Sequence, residues 1–252
     1  MSGHSKWSKI KRKKGATDAK RSKAFSRIIK EITVAVKEGG NGDPDFNPRL
    51  RMAIANAKGV NMPKDNVTRA IKKALESGST ALFQPTYEGY APGGIAVFVE
   101  CMTDNINRTV SSVRAIFNKR GGSLATNGSV DFMFERKGQF TLSTEDKDPE
   151  ELELELIDGG AEDIELDDEA NEMHVTVAFE DFGNMQSKLE DLKLEPKSAT
   201  LERIPLNTTE LAVDDSKQAL TLIEALEDDE DVQAVFHNLE LTDEVMADLM
   251  EE

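Results

Sequence analysis

Lys and Arg are concentrated at the start of this chain, and carboxylates dominate the rest of it. Residues 1–75 hold 19 Lys plus Arg against 6 Asp plus Glu, a net charge of +13. The other residues of the 252 hold 12 against 42, a net charge of −30. Length alone allows one large domain or two to three small ones. The charge asymmetry is the stronger constraint, because it is typical of a basic segment that faces nucleic acid and is joined to an acidic body.

The basic part of the chain is predicted to be an arm followed by three short helices. Residues 1–17 have no apolar period and many cations, which predicts a flexible basic arm. From about Asp18 to Gly39 apolar side chains recur at helical spacing, at Phe25, Ile28, Ile29, Ile32 and Val36. Two further short helices have apolar faces of their own: the first is predicted to start at the cap Asn47-Pro48 and the second at Pro63. We therefore expect residues 18–79 to form a helical basic domain.

Strand and helix patterns alternate in the acidic part. In residues 136–204 they follow the order β-α-β-β-α-β, which is that of the ferredoxin-like motif. Residues 80–135 hold a strand, a helix and a returning strand predicted at Val130–Phe134. The helix and strand of residues 205–240 cannot bury their apolar faces alone, so we expect them to complete that unit. Residues 241–252 are expected to be an acidic tail.

Two segments are ambiguous in these patterns. Residues 87–94 are rich in turn formers and are interpreted as a turn that leads into a buried strand at Ile95–Met102. Leu152, Leu154 and Leu156 alternate like a strand, but the boundary signals around them favour a helix. The predicted fold class is α+β, with an N-terminal three-helix module followed by two α/β ferredoxin-like modules, one inserted in the other.

The cellular setting is predicted from what the sequence lacks. No apolar run approaches the roughly 18 residues of a spanning helix, and no apolar stretch follows the basic N-terminus as in a secretory signal. The single cysteine, Cys101, cannot form an internal disulfide, which suits a reducing compartment. We expect a cytoplasmic protein without a membrane partner.

No catalytic constellation is recognisable. The three histidines, His4, His174 and His237, are far apart in sequence and have neither metal-ligand spacing nor a nucleophile partner. Phosphate-loop and dinucleotide-binding motifs are absent from the sequence. We therefore expect no catalytic residues, no metal, no cofactor and no small-molecule substrate. An enzyme that uses an acidic cleft between modules is the least favoured alternative.

The basic arm and first helix give the strongest functional signal. On the first helix an apolar stripe and a basic stripe lie on opposite sides, one for a core and one for water or phosphate. Trp7 can stack on an exposed base, which would favour RNA or single strands. The predicted nucleic-acid-binding residues are Lys6, Trp7, Lys9, Lys11, Arg12, Lys13, Lys14, Lys20, Arg21, Lys23, Arg27 and Lys30. Further cations on the second and third helices are Arg49, Arg51, Lys58, Lys64, Arg69, Lys72 and Lys73.

Several short blocks, in order, resemble one known family. They include Gly3-His4-Ser5-Lys6-Trp7, Tyr87-Glu88-Gly89-Tyr90, Asn107-Arg108-Thr109, Gly128-Ser129-Val130 and Asp231-Val232-Gln233. The blocks resemble those of the YebC family and span nearly the whole chain. The resemblance implies the three-module layout with an interrupted middle domain. It also implies a cytoplasmic DNA-binding transcriptional regulator, although mitochondrial relatives are translational activators and bacterial members have been connected with the ribosome.

These observations lead to one functional expectation and one alternative. We expect a non-enzymatic regulator of gene expression that binds DNA through its basic front, while the acidic modules repel nucleic acid and can offer a surface to a protein partner. The alternative is a ribosome-associated translation factor whose basic module binds ribosomal RNA. The sequence leaves the choice between DNA and RNA open.

Overall fold

The computed structural model describes residues 18–76, 81–145 and 147–251. The chain divides into two units, each with its own packing. We call Arg21–Ser79 with Arg136–Glu202 the bundle unit, and Thr80–Glu135 with Arg203–Glu252 the central unit. No helix of the described residues combines the length and the apolar composition needed to cross a bilayer.

Three helices open the bundle unit, and their apolar sides form one cluster. They are α1 (Asp18–Gly39), α2 (Pro48–Gly59) and α3 (Lys64–Leu75). The start of α2 is fixed by Asn47, whose side-chain oxygen accepts a hydrogen bond from the backbone N–H of Leu50 at 3.0 Å. Ile32, at the centre of the predicted apolar stripe of α1, is fully buried in this cluster. The predicted register of α1 is therefore confirmed at Ile28, Ile32 and Val36, whereas Ile29 of the same predicted stripe is 37% exposed.

The second part of the bundle unit is a ferredoxin-like module. Its elements are β4 (Phe134–Ser143), α5 (Pro149–Asp158), β5 (Ala161–Asp167), β6 (Glu172–Ala178), α6 (Phe182–Asp191) and β7 (Ser198–Pro205). The sheet order β5-β6-β4-β7 is the one that the β-α-β-β-α-β motif requires. The ambiguous segment around Leu154 is a helix, with Leu152 and Leu156 buried and Leu154 exposed.

The central unit holds a second sheet of related order. Its elements are β1 (Thr86–Ala91), β2 (Ile95–Cys101), α4 (Ile106–Lys119), β3 (Ser123–Leu124), α7 (Val213–Glu227), β8 (Val232–His237) and α8 (Asp243–Glu251). The strand order is β3-β1-β2-β8. In the usual ferredoxin-like sheet, the strand between the first and second strands is the third along the chain. Here that place, between β2 and β3, is taken by β1, which comes first along the chain, so the sheet is a ferredoxin-like arrangement with this one strand supplied from the N-terminal side. The predicted α+β fold class is confirmed.

Two elements of the central unit differ from the prediction. The turn predicted at residues 87–94 is instead mostly strand β1, paired with β2, and only Pro92–Gly94 form a turn. Gly89 suggested a turn, but it is a strand residue whose missing Cβ makes room for the Phe117 ring. The returning strand predicted at Val130–Phe134 is wrong: Asp131–Met133 form a 3₁₀ turn, and β3 is the returning strand.

The predicted acidic tail at residues 241–252 is also wrong over most of its length. Helix α8 occupies Asp243–Glu251, and Val245 and Leu249 are buried in the apolar cluster of the central unit. These two side chains lie four residues apart on one helix face, so the acidic composition concealed a short amphipathic helix.

Candidate nucleic-acid interface

Most of the predicted binding residues precede the part of the chain that the structure describes. Seven of them lie outside the described residues: Lys6, Trp7, Lys9, Lys11, Arg12, Lys13 and Lys14. The side chain of Lys20 also lies outside the described part of the structure. Their roles stay predictions from the sequence.

The described cations of α1 form a stripe that is partly occupied. Arg21 is exposed, with its guanidinium carbon 5.7 Å from the centroid of the Phe25 ring. Lys23, Arg27 and Lys30 are partly buried, and each takes part in a further interaction. The cationic face of α1 is therefore less available to phosphate than a fully solvated stripe of cations would be.

The same face of α1 is covered further along the helix. Val34 follows Lys30 by four residues and so shares its face, yet it is only 3% exposed. Burial also raises the pKa of nearby Glu31, although the charges of Arg49 and Arg27 act in the opposite direction. The predicted arrangement of α1, an apolar stripe opposite a basic stripe, therefore holds for the first half of the helix.

The cations of α2 are paired with carboxylates, although they remain partly exposed. Arg49 forms an ion pair with Glu38 of α1, and Arg51 forms one with Glu190 of α6. Lys58 lies 2.8 Å from a carboxylate oxygen of Glu195. The further cations that the sequence places on α2 are therefore ion-paired at these three positions. Glu190 and Glu195 are more than 130 residues away in sequence, so no local pattern predicts the pairing.

Within the bundle unit, α2 also packs directly on the ferredoxin-like module. The side-chain amide of Asn56 donates to the carbonyl oxygen of Ala199 at 3.0 Å, and its oxygen accepts from the Ala199 N–H at 2.9 Å. A Cβ on Gly59 would overlap the carbonyl oxygen of Lys197. Met52 packs against the apolar cluster of the module. This packing leaves a pocket of about 300 Å³ beside Leu189 that is open to solvent on one side.

Helix α3 presents the most available cations of the described bundle. Lys64, Arg69, Lys72 and Lys73 are all exposed, and none of them forms an ion pair with another described residue. They lie on the side of α3 that faces away from buried Ala70 and Ala74. We call these four residues the α3 cations. They are the described part of a surface that can meet phosphates.

An exposed aromatic ring lies on the same bundle, and sequence reasoning missed it. Phe46 ends a 3₁₀ turn before α2 and is 77% exposed. The turn is held by several hydrogen bonds: Asp43 accepts from the Asp45 N–H at 3.0 Å, and Arg51 donates to the carbonyl oxygens of Pro44 and Asp45. The sequence signal was present in Asp43-Pro44, but it marks the turn and not the exposure of the ring.

In the central unit, two of the blocks that carry the family resemblance contact each other. Glu88 is 3% exposed, and its carboxylate accepts hydrogen bonds from the N–H groups of Gly128, Val130 and Asp131 at 2.6, 2.6 and 3.0 Å. Burial acts to raise the pKa of Glu88, but these three donors and the charge of Arg203 lower it below the ordinary value. These blocks therefore stabilise the loop before β4.

Two further blocks meet around Asp231. This carboxylate, 6% exposed, accepts from the hydroxyls of Thr103 and Thr109 at 3.1 and 2.8 Å and from the Arg108 guanidinium at 2.9 Å. Hydrogen bonds and charge from Asp231, and then from Asp104, raise the pKa of Arg108. Because the carboxylate faces structural partners, these residues connect β2, α4 and β8.

The described histidines and the single cysteine are the residue types most often used for metal binding and nucleophilic chemistry. His174 lies 3.3 Å from the hydroxyl of Thr141, while His237 and Cys101 are buried in or beside the central sheet. No cluster of three His, Cys, Asp or Glu side chains in residues 18–76, 81–145 and 147–251 is arranged to hold a metal ion.

The fold and these surfaces define a class of protein: an α+β chain with a cationic helical bundle and two ferredoxin-like modules. Family models identify it more closely. Residues 5–77 match the TACO1/YebC protein N-terminal domain, and residues 82–239 match the TACO1/YebC second and third domain. The chain belongs to the TACO1/YebC family.

Relatives along the full length agree with this assignment. A "probable transcriptional regulatory protein" of Amoebophilus asiaticus is 53% identical over 95% of this chain and 98% of its own. One of the same description from Rubrobacter xylanophilus is 48% identical over 99% of both. A crystal structure of a conserved hypothetical protein from Aquifex aeolicus, 40% identical, superposes with a TM-score of 0.80 over 91% of this chain and 94% of that one.

Proposed function

We propose that this chain is a non-enzymatic regulator of gene expression that binds DNA through its basic N-terminal arm and the cationic surface of its bundle. The observation that carries the proposal is the set of α3 cations, exposed and without carboxylate partners among the described residues. Full-length relatives described as probable transcriptional regulatory proteins support it. A cytoplasmic location is part of the same proposal.

The binding mode follows from charge. Lys and Arg near a phosphate backbone release condensed counterions, a favourable contribution that needs no particular base sequence. The bundle combines such cations with short helices, and the sequence has no recognisable helix-turn-helix pair, zinc finger or basic zipper. We therefore expect weak sequence preference and strong salt dependence.

The test compares the full chain with a variant that carries Lys64→Gln, Arg69→Gln, Lys72→Gln and Lys73→Gln. Binding to a labelled duplex is measured between roughly 50 and 200 mM salt. Because the variant can neutralise four fewer phosphates, the slope of log affinity against log salt should fall by about 3 to 4. A double change of paired residues, Arg49→Gln with Glu38→Gln, keeps the net charge and serves as the control. Wild-type affinity that is equal at both salt concentrations would refute the electrostatic mechanism.

A second candidate function is a ribosome-associated translation factor that binds RNA. Exposed Phe46 favours it, because a ring on a cationic module can stack on an unpaired base, and unpaired bases are mainly a feature of RNA. Lysate is separated on a sucrose gradient and probed for the chain. Co-migration with ribosomal particles that survives DNase and is abolished by RNase would support this function over DNA binding.

A further inference from the structure

The acidic part of the chain contains one long segment without carboxylates. Residues 105–130 hold no Asp or Glu, although carboxylates outnumber cations by 42 to 12 from residue 76 onward. Four of those 12 cations lie in this segment, at Arg108, Arg114, Lys119 and Arg120. Such a local reversal of charge marks a surface that differs from the rest of the central unit.

Most of the segment is helix α4, and its outer side is polar and cationic. Thr109, Val113 and Phe117 are buried on the inner side. Lys119 and Arg120 are exposed at the end of the helix. Four further exposed residues recur at intervals of four, three and four positions and so share one face: Asn107, Ser111, Arg114 and Asn118. We call these four residues together with Lys119 and Arg120 the α4 surface.

The cations of the α4 surface are available to bind an anion, whereas the neighbouring Arg108 is already paired. Arg108 is held by Asp231 and Asp104. Arg114 and Lys119 form no ion pair with any residue in the described ranges. After the helix, the exposed residues 126–128 belong to the loop that Glu88 holds. The surface thus lies on a helix, and the chain that follows it leads through β3 into a loop that Glu88 holds.

Complementarity to the helix dipole accounts for only part of this pattern. Lys119 and Arg120 suit the carboxyl end of α4, where cations are stabilising. Arg114 lies in the middle of the helix, where the dipole has little effect. The dipole would also favour carboxylates in the first turn, and that turn has none. Exclusion of acids over the whole of residues 105–130 therefore needs another reason.

We propose that the α4 surface is a second phosphate-binding surface, by which the central unit contacts the backbone of the bound nucleic acid. The proposal rests on the proposed function and extends it to a module that was expected only to repel polyanions. Arg and Lys supply charge, and Asn and Ser supply the hydrogen-bond donors that contact phosphate and sugar oxygens. A protein partner is less suited, because the exposed large apolar side chain on α4 is a single one, Ile106, and protein interfaces depend on buried apolar anchors.

The experiment uses the full chain with Arg114→Gln and Lys119→Gln. Binding to a labelled duplex and to a single-stranded RNA of equal length is measured from roughly 50 to 200 mM salt. Removing two phosphate-binding cations should lower the log–log salt slope by about 1.8 for duplex DNA and about 1.4 for the single strand. Lys147→Gln with Lys193→Gln removes the same charge from exposed positions in the bundle unit and should leave the slope unchanged.

The outcomes separate this inference from the proposed function. If wild-type protein binds and both double variants show the wild-type slope, the α4 surface is not a contact and the proposed function stands. If wild-type protein binds neither polymer, the proposed function fails and the inference fails with it. If the Arg114/Lys119 variant loses binding to poly-glutamate but keeps nucleic-acid binding, the surface serves an acidic protein and the inference is overturned. Both variants should melt within about 1 °C of wild type, since the replaced side chains are exposed.

Discussion

The carboxylate of Glu88 accepts a hydrogen bond from the backbone N–H of Val130 at 2.6 Å. A single buried side chain on β1 thereby fixes a loop 42 residues further along the chain. The same carboxylate also accepts from the N–H groups of Gly128 and Asp131, so three backbone donors converge on one acceptor. This explains why Val130–Phe134 does not form the predicted strand: the backbone groups that a strand would need are already bonded to a side chain.

Replacing Glu88 by Gln should destabilise the protein by about 1–3 kcal/mol at pH 7, because one carboxylate oxygen becomes an amide that cannot accept. The pKa of Glu88 is lowered by folding, so its contribution is present above the ordinary carboxyl pKa and is lost as pH falls through the lower folded value. Urea unfolding at pH 7 and below about pH 4 measures the difference between wild type and variant. A difference that does not shrink in acid would contradict the role of the ionised carboxylate.

Asp231→Ala should cost more stability than Arg108→Ala. Removing the buried carboxylate leaves the hydroxyls of Thr103 and Thr109 without their acceptor, at about 3 kcal/mol. The Arg108 side chain is 54% exposed and can be rehydrated, so its removal should cost less. The urea midpoints of the two variants give the comparison. The reverse order would mean that the guanidinium, and not the hydroxyls, determines the stability of this cluster.

Ile32→Ala should destabilise the helical bundle by about 2–5 kcal/mol, because the side chain is fully buried and its removal leaves a cavity. Ile29→Ala is the matched control on the same helix, since Ile29 is 37% exposed and should cost less than about 1 kcal/mol. Thermal or urea unfolding of both variants is sufficient. Equal destabilisation would contradict the orientation of α1.

Local patterns predicted what depends on neighbours in sequence. The apolar stripe around Ile32 and the cap at Asn47 involve residues within a few positions of each other, and both are where the sequence indicated. The β-α-β-β-α-β order of elements along the ferredoxin-like module was predicted from local patterns of the same kind. Contacts between distant segments were not predictable, because Arg51 and Glu190 look equally solvated in sequence.

The candidate site shows the same division. Counting charges located the basic module, but only packing distinguishes the partly occupied stripe of α1 from the exposed α3 cations. The exposure of Phe46 was equally out of reach, because a phenylalanine in a sequence is expected to be buried. The acid-free segment at residues 105–130 was visible in the sequence, and its significance depended on knowing that Arg114 faces outward.

Asn56→Ala should loosen the packing of α2 on β7 without unfolding either element. The variant cannot form the two hydrogen bonds to Ala199, so the Ala199 N–H no longer has its acceptor. A local cost of about 1–3 kcal/mol corresponds to roughly 5- to 150-fold faster hydrogen exchange at that amide. Asn66→Ala, a partly exposed position on α3, is the control and should leave exchange at Ala199 unchanged. Unchanged exchange in Asn56→Ala would show that the packing of Met52 and the close backbone approach at Gly59 hold α2 on β7 without the two hydrogen bonds.

The basic arm should contribute to binding but not to stability. Lys9, Lys11, Arg12, Lys13 and Lys14 are long cationic side chains in a segment whose sequence offers one large aromatic residue near them, Trp7. Replacing the five by Ala should lower the log–log salt slope for duplex binding by up to about 4.5 and leave the melting temperature unchanged. Affinity is expected to fall by a similar factor on unrelated sequences, since phosphate contacts carry no base information. If this variant keeps wild-type affinity while the α3 variant binds weakly, the electrostatic interaction depends on the α3 cations and not on the arm.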